Sequence, residues 1–208
     1  MKVTRISFFL WIAMCRIPAF AQDGKGDFSS AFRVAINACQ IDGDGASGYN
    51  KFGYTIGTAI AQNLSNNWQY ETGITFSERG SRYPFNPDLP AKPSFHYRYQ
   101  TIDVPIFLNK TIDSRWKVGA GLIITYLIKV QETEGMHPNV EQDSRKSGLL
   151  FSAKAQYKIN KSLSYRVEYQ YGLISVASGN AGSLFFPTGA YHNCICAGIH
   201  YNLSSKAQ

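Results

Sequence analysis

The sequence predicts an all-β chain that folds into an eight-stranded antiparallel up-and-down transmembrane β-barrel. Three observations carry this prediction: apolar and polar residues alternate in long segments, polar breaks recur at a fixed spacing, and connections are short and long in turn. The clearest segment is 163–173, with Leu, Tyr or Val at every odd position and Ser, Arg, Glu, Gln or Gly at every even one. A period of two places these groups on opposite faces of a strand. At about 3.3 Å per residue and a tilt of about 45°, such a strand spans roughly 25 Å, the apolar height of a bilayer.

Short polar breaks at 63–67, 113–114 and 160–162 indicate an internal repeat. Ser65, Asp113 and Lys161 follow one another at intervals of 48 positions. After each break, an apolar residue begins an alternating stretch that runs into a glycine. A period of this length is typical of a repeated supersecondary unit. The unit predicted here is two strands joined by a long connection, with a tight turn to the next unit.

The alternation and the breaks together define eight strands. They are predicted at 31–40, 50–62, 67–78, 97–110, 115–130, 148–159, 163–175 and 190–203. Long connections at 41–49, 79–96, 131–147 and 176–189 alternate with the three tight turns. Long loops at one end, with short turns and both termini at the other, are typical of outer-membrane barrels. Eight strands also close without leaving a free edge.

Composition and the start of the chain favour one exported domain. The chain is 14% aromatic and 17% charged, and it has no apolar run long enough to form a spanning helix. A basic start, a short apolar run and Ala19-Phe20-Ala21 predict a signal peptide at 1–21, which leaves a barrel domain at 22–208. Removing the peptide lowers the formal charge from +7 to +4, because it contains three basic residues and no acid. This mild charge gives no reason to expect nucleic acid as a partner.

Alternation alone does not say which face is inside, so a soluble lipocalin-like barrel that binds lipid is an alternative. The polar face carries many small residues, which suit a narrow interior and favour the membrane barrel. They are Gly53, Gly57, Ala59, Ala61, Gly73, Gly119, Gly121, Gly172 and Gly198. The apolar face then meets lipid, with Trp68 and Trp116 in an interfacial girdle beside the turns and Tyr54, Tyr126, Tyr169 and Tyr171 in the opposite girdle. Pro105 predicts a local bulge, because proline removes a ladder donor.

The charged residues of the polar face form the strongest candidate site. They are Glu71, Asp103 and Glu168 with Arg33, Lys117, Lys154 and Arg166. Unpaired charges in a narrow lumen would cost several kcal/mol each, so we expect a ladder of salt bridges across strands. The lumen is then a plug rather than a pore. A catalytic acid and base is the alternative use of such carboxylates, and pairing is favoured.

Three cysteines remain after residue 21, namely Cys39, Cys194 and Cys196. Cys194 and Cys196 alternate with His192 and His200 on the inward face of the last strand, a pattern that raises the question of metal. Residues two apart on a strand lie roughly 6.5–7 Å apart, which suits one tetrahedral ion poorly. Because barrel closure brings the first and last strands together, a disulfide from Cys39 to Cys194 or Cys196, or small buried thiols, is favoured. No cofactor is predicted.

Several segments resemble the PorT-like outer-membrane β-barrel family of Bacteroidetes. They include Tyr70-Glu71-Thr72-Gly73-Ile74-Thr75-Phe76-Ser77-Glu78-Arg79-Gly80, the strand Tyr99-Gln100-Thr101-Ile102-Asp103-Val104-Pro105-Ile106-Phe107-Leu108-Asn109-Lys110, Val118-Gly119-Ala120-Gly121 and the final Gly198-Ile199-His200-Tyr201-Asn202-Leu203. The resemblance implies an eight-stranded barrel in the outer membrane of a Gram-negative bacterium. It implies no shared catalytic residues, and some members are linked to secretion or gliding. The tail 204–208 departs from the family, because no terminal aromatic residue closes the last strand.

The predicted function is therefore structural or interactive, through extracellular loops. Residues 79–98 are rich in Arg, Pro and aromatics, 132–143 are acidic, and 184–187 are apolar. Basic loop side chains suggest contact with lipopolysaccharide phosphates, and the aromatics suggest a protein partner. A lipid A modifying enzyme is a further alternative, because some eight-stranded barrels use a Ser/His pair near the loop end for this chemistry. His96 and His192 lie near that end, close to Ser94 or Ser183.

Overall fold

The computed structural model describes residues 28–44, 48–84, 87, 94–132, 144–177 and 189–203. The strands are β1 Phe28–Asp42, β2 Lys51–Asn63, β3 Trp68–Tyr83, β4 Phe95–Thr111, β5 Trp116–Glu132, β6 Ser147–Lys158, β7 Leu163–Gly172 and β8 Tyr191–Asn202. Each strand pairs antiparallel with the next, and β8 pairs with β1, so the sheet is a closed barrel. The predicted fold class is confirmed. The predicted signal peptide, the acidic stretch 133–143 and the apolar stretch 184–187 lie outside the described residues.

The three tight turns have local sequence causes. In the β2–β3 turn, Asn66 and Asn67 have φ values of 59° and 65°, a left-handed conformation that asparagine tolerates. In the β4–β5 turn, Asp113 Oδ1 accepts hydrogen bonds of 2.7 Å from the backbone N–H groups of Arg115 and Trp116. Asn160 Oδ1 in the β6–β7 turn accepts the equivalent bonds at 2.9 and 2.8 Å. Two of the three turns of the predicted repeat therefore share one hydrogen-bond pattern, and the β2–β3 turn is built differently.

The two faces of the wall have the predicted polarity. Large apolar side chains such as Ile74, Ile124 and Ile195 are exposed on the outside, whereas most of the buried inward side chains are polar or charged. This arrangement contradicts the soluble lipid-binding alternative, which requires an apolar interior. Within the described residues, no helix is long and apolar enough to cross a membrane.

The inward glycines relieve crowding between neighbouring strands. A Cβ added at Gly121 would collide with the carbonyl oxygen of Ile106, and one at Gly198 would collide with the carbonyl oxygen of Val34. Each obstacle lies on the backbone of the adjacent strand, not across the lumen. The sequence alone suggested that the narrow lumen requires these glycines. The structure shows instead that the backbone of the neighbouring strand lies too close for a side chain.

The irregularity of β4 and β5 does not lie at Pro105, so the expected bulge there is wrong. The β3–β4 pairs Thr72–Ile106 and Thr75–Asp103 share one register on either side of the proline. The shift occurs instead where Gln100 pairs with Lys129 and Thr101 pairs with Leu127, which makes Ile128 an extra residue in β5. A bulge of this kind re-aims the side chains that follow it.

Strands β3, β4 and β5 project beyond the rest of the barrel at the loop end. The β2–β3 pairing ends at Ser77, whereas β3 and β4 remain paired as far as Tyr83 and Phe95. The β5–β6 pairing likewise ends at Tyr126, six residues before the end of β5. Residues 79–83 and 95–96, expected in a loop, are therefore strand. At about 3.3 Å per residue, six residues extend the strands by roughly 20 Å.

Candidate functional site in the barrel lumen

Buried ion pairs cross the middle of the lumen from one side of the wall to the other. Glu71 on β3 is central, because its Oε1 lies 2.7 Å from both Lys154 Nζ on β6 and Arg166 Nη1 on β7. The other oxygen of Glu71 accepts a 3.1 Å hydrogen bond from Asn109 Nδ2. Alternation along each strand places these side chains inward, and barrel closure brings them face to face.

Glu168 is the second carboxylate of this network. Arg33 and Arg166 each place a guanidinium nitrogen 2.8 Å from Glu168 Oε2. Its Oε1 accepts bonds of 2.6 Å from Gln170 Nε2 and 3.0 Å from Ser152 Oγ. The carboxylate is only 1% exposed, so these donors replace its water completely. A buried carboxylate needs this number of partners to remain ionised.

A third carboxylate, Asp103, is held by Arg79. The Arg79 guanidinium donates to Asp103 at 3.3 and 2.8 Å in a two-pronged contact, and Nε donates to Gln170 Oε1 at 3.0 Å. Thr101 Oγ1 also donates to Asp103, at 2.8 Å. Because Gln170 bonds both Arg79 and Glu168, the two parts of the network are continuous. We call this set of Arg33, Glu71, Arg79, Asp103, Lys154, Arg166, Glu168 and Gln170 the central network.

Phe107 supplies an aromatic face to the same region. It is fully buried, with Lys154 Nζ 4.0 Å and Arg166 Cζ 5.1 Å from its ring centre. Cation–π attraction of this kind contributes about 2 kcal/mol when the cation is desolvated. The ring therefore fills space and stabilises two cations that share one carboxylate.

Of the seven charged residues predicted to line the lumen, six lie in the central network, and the seventh, Lys117, lies apart. Lys117 Nζ donates 2.8 Å to Gln69 Oε1 near the turn end of the barrel and makes no ion pair among the described residues. Arg79 was expected in a loop, yet it is 1% exposed inside the barrel. The signal was present, since the alternation of Glu71, Gly73, Thr75 and Ser77 continues through Arg79.

An apolar cluster closes the lumen above the central network, toward the loops. Ile41, Tyr99, Leu127 and Val130 form it, with Tyr97, Val176 and Ala190 packed against them. The bulge at Ile128 is the cause, because it lets both Leu127 and Val130 point inward. His192 lies beneath this cluster, with its ring centre 5.2 Å from that of Tyr99 in an edge-on contact. We call the four buried residues the apolar cap.

The cysteines lie beside the central network at the seam between β1 and β8. Cys39 and Cys194 are directly paired positions with Cα atoms 4.2 Å apart, and the structure joins them in a disulfide. Cys196 is a buried free thiol. Within the described part of the chain, no group of three or more His, Cys, Asp or Glu side chains is arranged to hold a metal ion.

The predicted interfacial aromatics lie on the outside of the wall, at the expected ends of their strands. Trp68 and Trp116 begin β3 and β5 at the turn end, where Lys110 Nζ lies 5.4 Å from the Trp68 ring centre and Tyr157 lies 5.0 Å from Trp116. Tyr126, Tyr169 and Tyr171 lie outward toward the loop end, and Tyr171 stacks on Tyr191 at 6.3 Å. Their role as membrane anchors stays a prediction.

The histidines considered for lipid A chemistry do not share a face. His192 points into the lumen beneath the apolar cap, whereas His96 pairs with Arg82 and, by alternation along β4, lies on the outer face. Ser183 lies outside the described residues. A nucleophilic serine and its base must come within hydrogen-bond reach, so the two histidines cannot serve the same serine from opposite faces.

The fold and the polar lumen define an outer-membrane β-barrel. The family model for the outer membrane protein β-barrel domain matches residues 20–178, and the chain belongs to that family. A search of curated proteins found no match. Among solved structures, Neisserial surface protein A is 11% identical, with a TM-score of 0.52 over 86% of this chain and 99% of that one. The attachment invasion locus protein Ail of Yersinia pestis, solved with the heparin analogue sucrose octasulfate, is 13% identical, with a TM-score of 0.46 over 86% of this chain and 100% of its own.

Proposed function

We propose that this outer-membrane protein has a plugged lumen and acts as a structural or interaction protein through its extracellular end. The single observation that carries the proposal is the central network. Its side chains come from β1, β3, β4, β6 and β7, and they meet across the barrel axis at distances of 2.6–3.3 Å.

The energetics of the network argue against solute passage. Opening a path would separate Glu71 from Lys154 and Arg166, which lie 2.7 Å away. Removing one partner of a buried ion pair costs about 3–5 kcal/mol, and here several pairs share partners. The apolar cap adds a second layer that excludes water. Diffusive transport is therefore a poor fit, and the activity belongs to the surfaces of the barrel.

The projecting part of β3–β5 is the best-supported interaction surface. Tyr83, Phe95 and Tyr97 form a continuous aromatic row on it, with ring centres 5.9 and 5.1 Å apart. On the opposite face of the same projecting strands, Arg82 is exposed and the Arg98 side chain is half-exposed. Aromatic and arginine side chains are the types that dominate protein interfaces, and arginine also binds phosphate. The partners that fit are a protein or the phosphates of lipopolysaccharide.

The closed lumen is tested by conductance. The purified protein in a planar lipid bilayer is expected to give no steady current above that of the bare membrane, because the central network leaves no continuous path. The matched variant combines Arg166→Ala with Glu168→Ala, which removes two members of the central network and leaves the net charge unchanged. We expect this variant to raise the current. A stable open current from the wild-type protein would contradict the plug.

The interaction surface is tested by placing a photocrosslinking amino acid at Phe95 and, as a control, at Tyr201. Tyr201 is an outward residue of β8 at the turn end, the end of the barrel away from Phe95. We expect crosslinks to lipopolysaccharide or to one defined protein from Phe95 but not from Tyr201. Equal labelling from both positions would contradict a specific surface at the loop end.

Two finer assignments complete the proposal. Residues 1–21 act as a cleaved signal peptide, which amino-terminal sequencing of the membrane-inserted protein tests directly. The resemblance to PorT-like barrels supports a link to secretion or surface assembly. Deleting the gene and measuring the proteins exported to the surface tests that link, and an unchanged surface profile would contradict it.

A further inference from the structure

A cavity of about 350 Å³ opens at the turn end of the barrel, opposite the apolar cap. The β4–β5 and β6–β7 turns and the turn-end residues of the strands contribute to its lining. Four basic residues line it, namely Arg115, Lys117, Lys158 and Lys161, against two acids, Glu71 and Asp113. The Arg115 guanidinium donates 2.9 Å to the Tyr157 hydroxyl, so the three lysines are the cations available to a ligand. The volume is within the range of sites that bind small molecules.

Both acids of the cavity are already engaged. Glu71 lies 2.7 Å from Lys154 and Arg166 in the central network. Asp113 uses Oδ1 to accept the two backbone N–H groups of its own turn. Among the described residues, Lys117, Lys158 and Lys161 make no ion pair. The lining of the cavity therefore has more basic than acidic residues, and its three lysines have no acidic partner in the described part of the chain.

Two further features make the cavity a built site rather than a loose group of surface lysines. Lys117 Nζ is held by Gln69 Oε1 at 2.8 Å, and Gln69 Nε2 is held in turn by Asn63 Oδ1 at 3.0 Å. His200 also lines the cavity, is 6% exposed, and its Nδ1 has no hydrogen-bond partner among the described residues. Ser164, the residue paired with His200 on β7, adds a buried hydroxyl.

We propose that this cavity binds an oxyanion, a carboxylate or phosphate group, presented from the periplasmic side. Lys117 would donate to the anion from its fixed position. Lys158 at the end of β6 and Lys161 in the β6–β7 turn would neutralise it from the rim. Charge-assisted hydrogen bonds of this type are shorter and about twice as strong as neutral ones. The central network blocks approach from the other end, so the ligand enters and leaves through the turn end alone.

The experiment titrates the folded protein, in an uncharged detergent at low salt, with inorganic phosphate and separately with citrate, and measures heat. We expect saturable binding of at least one probe. Phosphate alone would indicate a phosphate-bearing ligand, and citrate alone would indicate a carboxylate. Absence of binding by both probes would overturn the proposal.

Variants distinguish binding in the cavity from non-specific attraction of the anion to positive charge. Lys117→Gln is expected to weaken binding about tenfold, and Lys158→Gln with Lys161→Gln to weaken it further. Lys110→Gln is the matched control, because it removes the same charge at the same end but on the outer face, beside Trp68. An equal loss in Lys110→Gln would overturn the proposal. Heat-dependent gel migration of each variant confirms that the barrel has folded.

Discussion

The two ends of the lumen are built differently, although the same eight strands form both. At the loop end, the apolar cap of Ile41, Tyr99, Leu127 and Val130 covers the central network. At the turn end, a cavity of about 350 Å³ is lined by basic residues such as Lys117 and Lys161. The same wall thus closes one mouth with buried apolar side chains and leaves a polar cavity open at the other. The central network separates the two regions.

The largest expected effect on stability comes from the central network, which lies between the two ends. Glu168→Ala leaves the guanidinium groups of Arg33 and Arg166 without the carboxylate that lies 2.8 Å from each. We expect a loss of about 3–5 kcal/mol in the free energy of unfolding. Urea unfolding in lipid vesicles, followed by tryptophan fluorescence, measures it.

Glu168→Gln serves as the control for this layer, because it keeps the shape and some hydrogen bonds and should lose less. If Glu168→Ala cost below about 1 kcal/mol, the network would not stabilise the barrel, and the division between the two ends would have to lie elsewhere.

A smaller effect is expected at the loop end. Leu127→Ala removes a buried side chain from the apolar cap, so we expect a loss of about 2–4 kcal/mol by the same unfolding measurement. The neighbouring Ile128, the extra residue of the bulge, is largely exposed on the outside. Ile128→Ala should therefore cost below about 1 kcal/mol. Equal losses would show that the cap does not pack as a unit.

The smallest effect is expected at the turn end, where Asp113 is fully exposed. Backbone hydrogen bonds from Arg115 and Trp116 lower the pKa of its carboxyl below the ordinary 3.8. A carboxyl with a lowered pKa in the folded state adds stability that is present above its ordinary pKa and lost as the pH falls through the folded value. Asp113→Ala should therefore destabilise the barrel slightly at neutral pH, and the difference from wild type should shrink below about pH 3.8.

Asn160 is the matched control, because its amide oxygen accepts the same two backbone bonds without titrating. Asn160→Ala should lose a similar amount of stability at every pH. A pH-dependent loss in Asn160→Ala equal to that in Asp113→Ala would contradict the assignment of the acid effect to Asp113.

Much of the fold could be predicted from local sequence, because a strand of a membrane barrel shows its two faces directly. The alternation around Val167 separates lipid from lumen, and Asp113 and Asn160 mark turns through their own short-range hydrogen bonds. Only side-chain chemistry within a few residues is needed for these features. The same alternation continues through Arg79, so its inward position was available from the sequence as well.

The tertiary structure decided which inward residues meet. Alternation places Lys117 and Lys154 on the same face, but only the register of the closed barrel puts Lys154 against Glu71 and leaves Lys117 in the open cavity. The apolar cap depends likewise on the bulge at Ile128, which arises from the pairing of β5 with β4 and has no proline or glycine to mark it. The strands of the barrel and the polarity of their two faces could therefore be predicted from local sequence. The central network, the apolar cap and the cavity could not, because they depend on strand register and barrel closure, which arise from contacts between residues far apart in the chain.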